Sequence, residues 1–161
     1  MNKEETYKAT TKRWDDYFHK ICVAVASKSP CLSRQIGAVI VRDNSVVSTG
    51  FNGPARGYRH CEGIEPHCLC PRHAAGFNSG EALDICPAGQ AEVNAISNAA
   101  RLGVSVKDCT LYMNCIIPYK DCAIQVVNSG IVEVVVDELE YYHDMSKKIF
   151  QSGNVKVRRF R

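Results

Sequence analysis

Trp14, Phe18, Ile21, Cys22 and Val25 recur at helical spacing, which predicts one amphipathic helix over 14–27. Two short β-rich runs follow, 35–41 and 46–51, and the Asp43-Asn44-Ser45 stretch between them predicts a hairpin. An Ala-rich stretch, 91–102, stops at Gly103 and reads as a helix with its C-cap. A strand over 109–114 and a helix over 119–129 closed by Gly130 come next. The apolar, β-branched run 131–137 suits a buried strand. A helix over 140–151 stopped near Gly153 and a last strand over 155–160 complete the pattern. This order, α-β-β-α-β-α-β-α-β, predicts an α/β fold of three α-β-α layers around a mixed sheet of about five strands.

The interval 52–89 is dense in Gly, Pro, Cys and His and carries no clear period. A loop of that length is functional or held by a metal. The chain has 9 Cys. A reducing cytoplasm disfavours structural disulfides, so metal binding is the natural outlet for the clustered ones. Cys22 and Cys109 sit in apolar runs and read as plain core residues.

Length and charge narrow the picture. The 161 residues fit one domain, 1–161, with a sizeable core. Hydrophobic content of 45% and charge of 23% are those of a soluble globular protein. A net charge of +3 is too small to argue for nucleic acid. The basic stretch 156–161 reads first as a solvated final strand and second as a phosphate attractor. No apolar run reaches the length of a membrane span. Residues 1–13 are polar, with charges of both signs, unlike a signal peptide. The expected location is cytoplasmic.

Four segments carry more specific information: Ser33-Arg34-Gln35-Ile36-Gly37-Ala38-Val39-Ile40-Val41, Ser48-Thr49-Gly50-Phe51-Asn52-Gly53, Ala91-Glu92-Val93-Asn94-Ala95-Ile96, and Pro118-Tyr119-Lys120-Asp121-Cys122-Ala123 running on to Ser129-Gly130-Ile131. In content and order they resemble the deoxycytidylate (dCMP) deaminases of the cytidine deaminase fold. Zinc-dependent deaminases of this kind carry an H-x-E…P-C-x-x-C signature. This chain keeps Glu92, Pro118 and Cys122, but has Gln90 in place of the His ligand and Tyr119 in place of the first Cys ligand.

The resemblance implies that Glu92 is the proton shuttle and Cys122 a remaining ligand of the catalytic zinc site. Gln90 and Tyr119 then become hydrogen-bonding residues of the substrate pocket. An amide oxygen is a weak, hard donor for zinc, and a phenol with a reference pKa of about 10 binds metal weakly near neutrality. The catalytic zinc is therefore doubtful. Cys115, in the loop before Pro118, is either a strand-end core residue or a substitute ligand. Asn52 matches a residue that bonds the deoxyribose, and Ser33 and Gln35 fall at phosphate contacts. Ile124 stands where many relatives have Lys, a loss of charge that would weaken phosphate binding, with Arg34 or Arg56 as replacements.

The resemblance also implies a separate structural zinc, with Cys31, Cys61, Cys70 and Cys86 as a closed tetrahedral site. Cys68, His60, His67 and His73 are rival ligands, and four Cys also suit an iron–sulfur cluster. Three functions remain open. The first is a degenerate or repurposed member that handles a dCMP-like nucleotide. The second is an active deaminase converting dCMP to dUMP through a rebuilt metal site. The third is a non-catalytic partner or regulatory subunit. The resemblance further implies a homo-oligomer, or a hetero-oligomer with an active relative, and regulation by dCTP and dTTP near Gly53 and Arg56.

Overall fold

The computed structural model describes residues 2–61 and 70–161. Helix α1 spans Lys3–Ala26, strand β1 Gly37–Arg42, β2 Ser45–Phe51 and β3 Gly53–Pro54. The four-residue helix α2 (Pro71–Ala74) and a 3-10 turn at Leu83–Ile85 precede β4 (Ala88–Gly89). Then follow α3 (Ala91–Arg101), β5 (Thr110–Met113), β6 (Ile116–Ile117), α4 (Lys120–Asn128), β7 (Glu133–Val136), β8 (Glu138–Tyr141), α5 (Asp144–Ser152) and β9 (Lys156–Arg159).

The main sheet has five strands in the order β2-β1-β5-β7-β9. Its β2-β1 and β1-β5 pairs are antiparallel, and β5-β7 and β7-β9 are parallel. Side chains alternate across each strand. Ala38, Ile40, Leu111, Met113, Val134 and Val136 face α3, α4 and α5 through Ala95, Ala99, Val126 and Phe150. Val39, Val41, Tyr112 and Val135 face the other way, onto Phe18 and Cys22 of α1. The expected three layers and mixed sheet are therefore present, and Cys22 and Cys109 are buried core residues as expected.

Two glycines let the helices approach. A Cβ on Gly50 would stand 2.3 Å from Ala95 N and 2.5 Å from Ala91 O, so α3 lies directly on β2. A Cβ on Gly37 would stand 2.1 Å from Cys22 O, so α1 lies on β1 in the same manner. The hairpin turn is Asp43-Asn44, with φ of 51° and 56°. Those left-handed values suit the twist of a two-residue hairpin, and Asp and Asn tolerate them.

Several boundaries differ from the sequence expectation. Helix α1 starts at Lys3, not at residue 14, because a capping box nucleates it: Asn2 Oδ1 accepts from Glu5 N (2.8 Å) and Glu5 Oε2 accepts from Asn2 N (2.7 Å). Its first turns are exposed, so no hydrophobic period marks them. The helix expected over 140–151 begins only at Asp144. The residues before it form β8, parallel to β6 with Ile116 opposite Glu138. A tertiary pairing overrides local propensity there. The interval 52–89 is closed at both ends by β3 and β4, where Gly53 pairs with Gly89.

Asp15, 1% exposed, is the polar anchor of α1. Arg158 of β9 reaches it with Nη1 (2.6 Å) and Nη2 (3.0 Å), and bonds Glu133 of β7 through Nε (3.0 Å). Arg159 pairs with Glu138, and Lys156 with Glu133. The basic stretch at 156–161 is thus largely spent on pairs that lock α1 and β7 to the edge strand. No helix among the described residues is long and apolar enough to cross a membrane.

Two outcomes follow. Asp15→Ala removes two charge-assisted hydrogen bonds and leaves the Arg158 charge on Glu133 alone, lowering unfolding free energy by about 1.5–3 kcal/mol, measured by urea denaturation. Gly50→Ala forces backbone apart between β2 and α3 and costs roughly 1–3 kcal/mol or more, read in the same way.

Candidate active site

The N-termini of α3 and α4 converge on one cavity of about 200 Å³. Gln90 is the N-cap of α3 and Tyr119 the N-cap of α4, and neither side chain makes a capping bond. Gln and Tyr are not good capping residues. Here both line the cavity instead. Glu92 sits one residue into the first turn of α3, and Cys122 in the first turn of α4.

Glu92 lines the cavity yet is only 3% exposed. Burial raises its carboxyl above the ordinary 4.5, opposed by hydrogen bonds from its own backbone N–H and from the Cys122 thiol. The Cys122 thiol is itself pushed well up, first by burial and then by the Glu92 charge. Cys115 is buried, lines the same cavity and donates to Ile116 O (3.2 Å). Its thiol is also held well up, by burial and by Glu92, while the Arg34 charge pulls it down. Both thiols therefore stay protonated near neutrality, which is the reverse of an activated nucleophile.

Ser33 and Asn52 line the cavity as well. Asn52 is 8% exposed and already engaged: its Oδ1 accepts from Ser29 Oγ (2.7 Å) and Ile36 N (2.8 Å), and its Nδ2 donates to Arg34 O (2.7 Å). Its side chain clips the segment 29–36 to the end of β2. Gln35 does not line the cavity and donates to Ser29 O (3.2 Å). Arg56 is also outside, bonded to Asn98 Oδ1 (2.9 Å). Ile124 lies in a shallow groove between α4 and α5, so its apolar side chain removes no charge from the cavity.

Three residues of the site escaped the sequence reading. Arg72, 5% exposed, donates to Glu81 O and Asn78 O (2.5 Å each) and folds the 78–81 loop against the cavity wall. Tyr142 lines the cavity and accepts from Arg34 Nη1 (2.9 Å). His143 meets the Tyr119 ring edge-on at 5.8 Å. Tyr142 and His143 fell inside the stretch read as helix. The His143 side chain accepting from Met145 N, an N-cap bond, marks where that helix begins.

Cys31, Cys61, Cys70 and Cys86 are neighbours. The Cys61 thiol is raised to about 11 by burial first, then by Cys70, Cys86 and Cys31. Arg34 N donates to Cys31 Sγ (3.5 Å). Cys31 and Cys86 also line the cavity, so this cluster adjoins the pocket. Among the described residues no set of three or more Cys, His, Asp or Glu side chains is arranged to ligate an ion. His60 and His73 are exposed. Cys68 and His67 lie outside the described residues.

Residues 12–138 match the family described as the cytidine and deoxycytidylate deaminase zinc-binding region. The deoxycytidylate deaminase of Saccharomyces cerevisiae is 35% identical over 150 residues, covering 91% of this chain and 45% of that protein. The chain thus spans less than half the length of this yeast relative. The deoxycytidylate deaminase of Mycobacterium phage D29 is 34% identical over 129 residues, covering 76% of this chain and 92% of that protein. In fold, the chain is similar to the dCMP deaminase of cyanophage S-TIM5 solved with dCMP and dUMP, with a TM-score of 0.66, 21% identity and 99% of each chain covered.

Glu92 makes stability depend on pH. A carboxyl raised in the folded state stabilises fully below its unfolded value of 4.5 and loses that contribution as pH rises through the folded value. Glu92→Gln therefore melts higher than the parent at about pH 8, with the gap closing towards about pH 4, by calorimetry. A gap that widens on acidification would contradict the assignment.

Proposed function

This chain belongs to the cytidine and deoxycytidylate deaminase family, and on that footing we propose that its cavity holds a deoxycytidine-type nucleotide in a site that has lost the catalytic zinc. One observation carries this reading: the two helix caps facing the cavity beside Glu92 are Gln90 and Tyr119. An amide, a phenol and a single protonated thiol at Cys122 are not a zinc donor set.

The cavity residues suit recognition. A buried carboxyl with raised proton affinity both donates and accepts hydrogen bonds at a pyrimidine edge. The Gln90 amide does the same, and the Tyr119 hydroxyl adds a further donor and acceptor. The site remains polar and selective after losing its metal ligands, which favours a repurposed protein over an inert remnant.

Cys31, Cys61, Cys70 and Cys86 suit a structural zinc by their chemistry, since four adjacent thiols offer the soft donors that ion takes. When bound, zinc would tie the 52–89 interval to the segment before β1 and add directly to folding free energy.

A second reading, an active deaminase with a rebuilt metal site, is favoured by the position of Cys115. It is buried against the same cavity and adjacent to both Glu92 and Cys122.

Metal content and dCMP turnover of protein purified without added metal separate the readings. The expected result is about one zinc per chain, lost in Cys61→Ser, with no ammonia released from dCMP. About two zincs per chain with dUMP formed would overturn it in favour of the rebuilt site. Gln90→His combined with Tyr119→Cys should gain a second zinc.

A further inference from the structure

The parallel pairing of β6 with β8 sets Ile117 opposite Tyr141. Two residues beyond each member of that pair stand Tyr119 and His143. Both are helix N-caps, Tyr119 of α4 and His143 of α5. Their rings meet edge-on, with centroids 5.8 Å apart and planes at 82°. Edge-on contact is a favoured geometry of aromatic rings, and it restrains the angle of each.

The two caps behave differently. His143 Nδ1 accepts from Met145 N (3.1 Å), so the first turn of α5 holds the imidazole in place. A ring flip would put a carbon at that position and lose the bond. Tyr119 makes no cap bond and lines the cavity that Glu92 also lines. Among the described residues its hydroxyl has no hydrogen-bond partner. A free hydroxyl on a ring clamped from behind is ready for a ligand, because little side-chain freedom remains to be lost on binding. His143 is exposed and does not line the cavity.

We propose that His143 is the positioning residue for Tyr119: by clamping the phenol ring it presents the hydroxyl to the base of the ligand ahead of binding. The inference rests on the nucleotide reading above. His143 acts through Tyr119, while its separate bond to Met145 N fixes the start of α5. One side chain thus serves ligand recognition through its ring and helix stability through Nδ1, and substitutions can part the two.

Calorimetric titration of the full chain with dCMP, paired with thermal melts, tests this. Tyr119→Phe removes the hydroxyl and should weaken dCMP binding roughly 2- to 10-fold, the worth of one hydrogen bond. His143→Asn keeps a strong N-cap but removes the ring. It should weaken binding by a similar factor and melt at or above the parent temperature. His143→Phe keeps a ring but no cap, so it should recover most of the affinity and melt below the parent. In the Tyr119→Phe background His143→Asn should cost little more, because the hydroxyl whose aim it set is absent. Circular dichroism verifies folding, and His143→Ser replaces the Asn variant should that one fail to fold. Parent-like binding by Tyr119→Phe or His143→Asn, no recovery with His143→Phe, or losses that add in the double variant overturn the positioning role and leave the nucleotide reading intact. A parent that binds no dCMP overturns both.

Discussion

Helix α3 can lie on strand β2 only because Gly50 has no side chain, and the whole cavity follows from that contact. With Ala91 and Ala95 against the strand, the backbone of α3 comes within a distance that any Cβ would occupy. This sinks the first turn of α3 into the protein and takes Glu92 out of water. Asn94, two residues on, then bonds Phe51 O, Gly53 O and Gly89 O, so the same helix also fixes the ends of the 52–89 interval. The neighbouring α4 presents Cys122 beside Glu92. Close packing here governs electrostatics: a carboxyl held in a dry position keeps its proton more readily, and the thiol beside it does likewise.

The site is thereby unusual in balance. A buried carboxyl at Glu92 faces the same cavity as the hydrogen-bonding side chains of Gln90 and Tyr119. Helix caps are normally filled by Ser, Thr, Asp or Asn, which satisfy the first N–H groups of the helix. Gln90 and Tyr119 decline that role and turn to the cavity. The local loss of a cap at two helices is consistent with side chains chosen for what they meet in the pocket.

Much of this was legible in the sequence. Periodic runs located the core strands and α3 and α4, because those elements bury one face against a sheet. The family segments located Glu92, Gln90, Tyr119 and Cys122. The start of α1 was not legible from hydrophobicity, since its first turns are exposed and depend on a cap formed by Asn2 and Glu5. Residues 138–141 carry helix-compatible side chains but pair with β6, a partner distant in sequence. Tyr142 was lost with that misreading. Asn52 was found as a site residue, yet its hydrogen bonds to Ser29, Ile36 and Arg34 come from the fold of three segments and leave no trace in local pattern. Cys115 was read chiefly as a core cysteine, and it is both buried and part of the cavity wall.

The bond between Asp15 and Arg158 joins positions 143 residues apart, and this sets an order of events during synthesis. Helix α1 emerges from the ribosome well before the strand that neutralises its buried carboxylate. Until then β7 is the open edge of the growing sheet, with Val134, Val135 and Val136 in sequence. An apolar edge strand is a template for pairing with other chains. By holding β9 against β7, the Asp15–Arg158 bond therefore also guards the sheet against pairing with other chains.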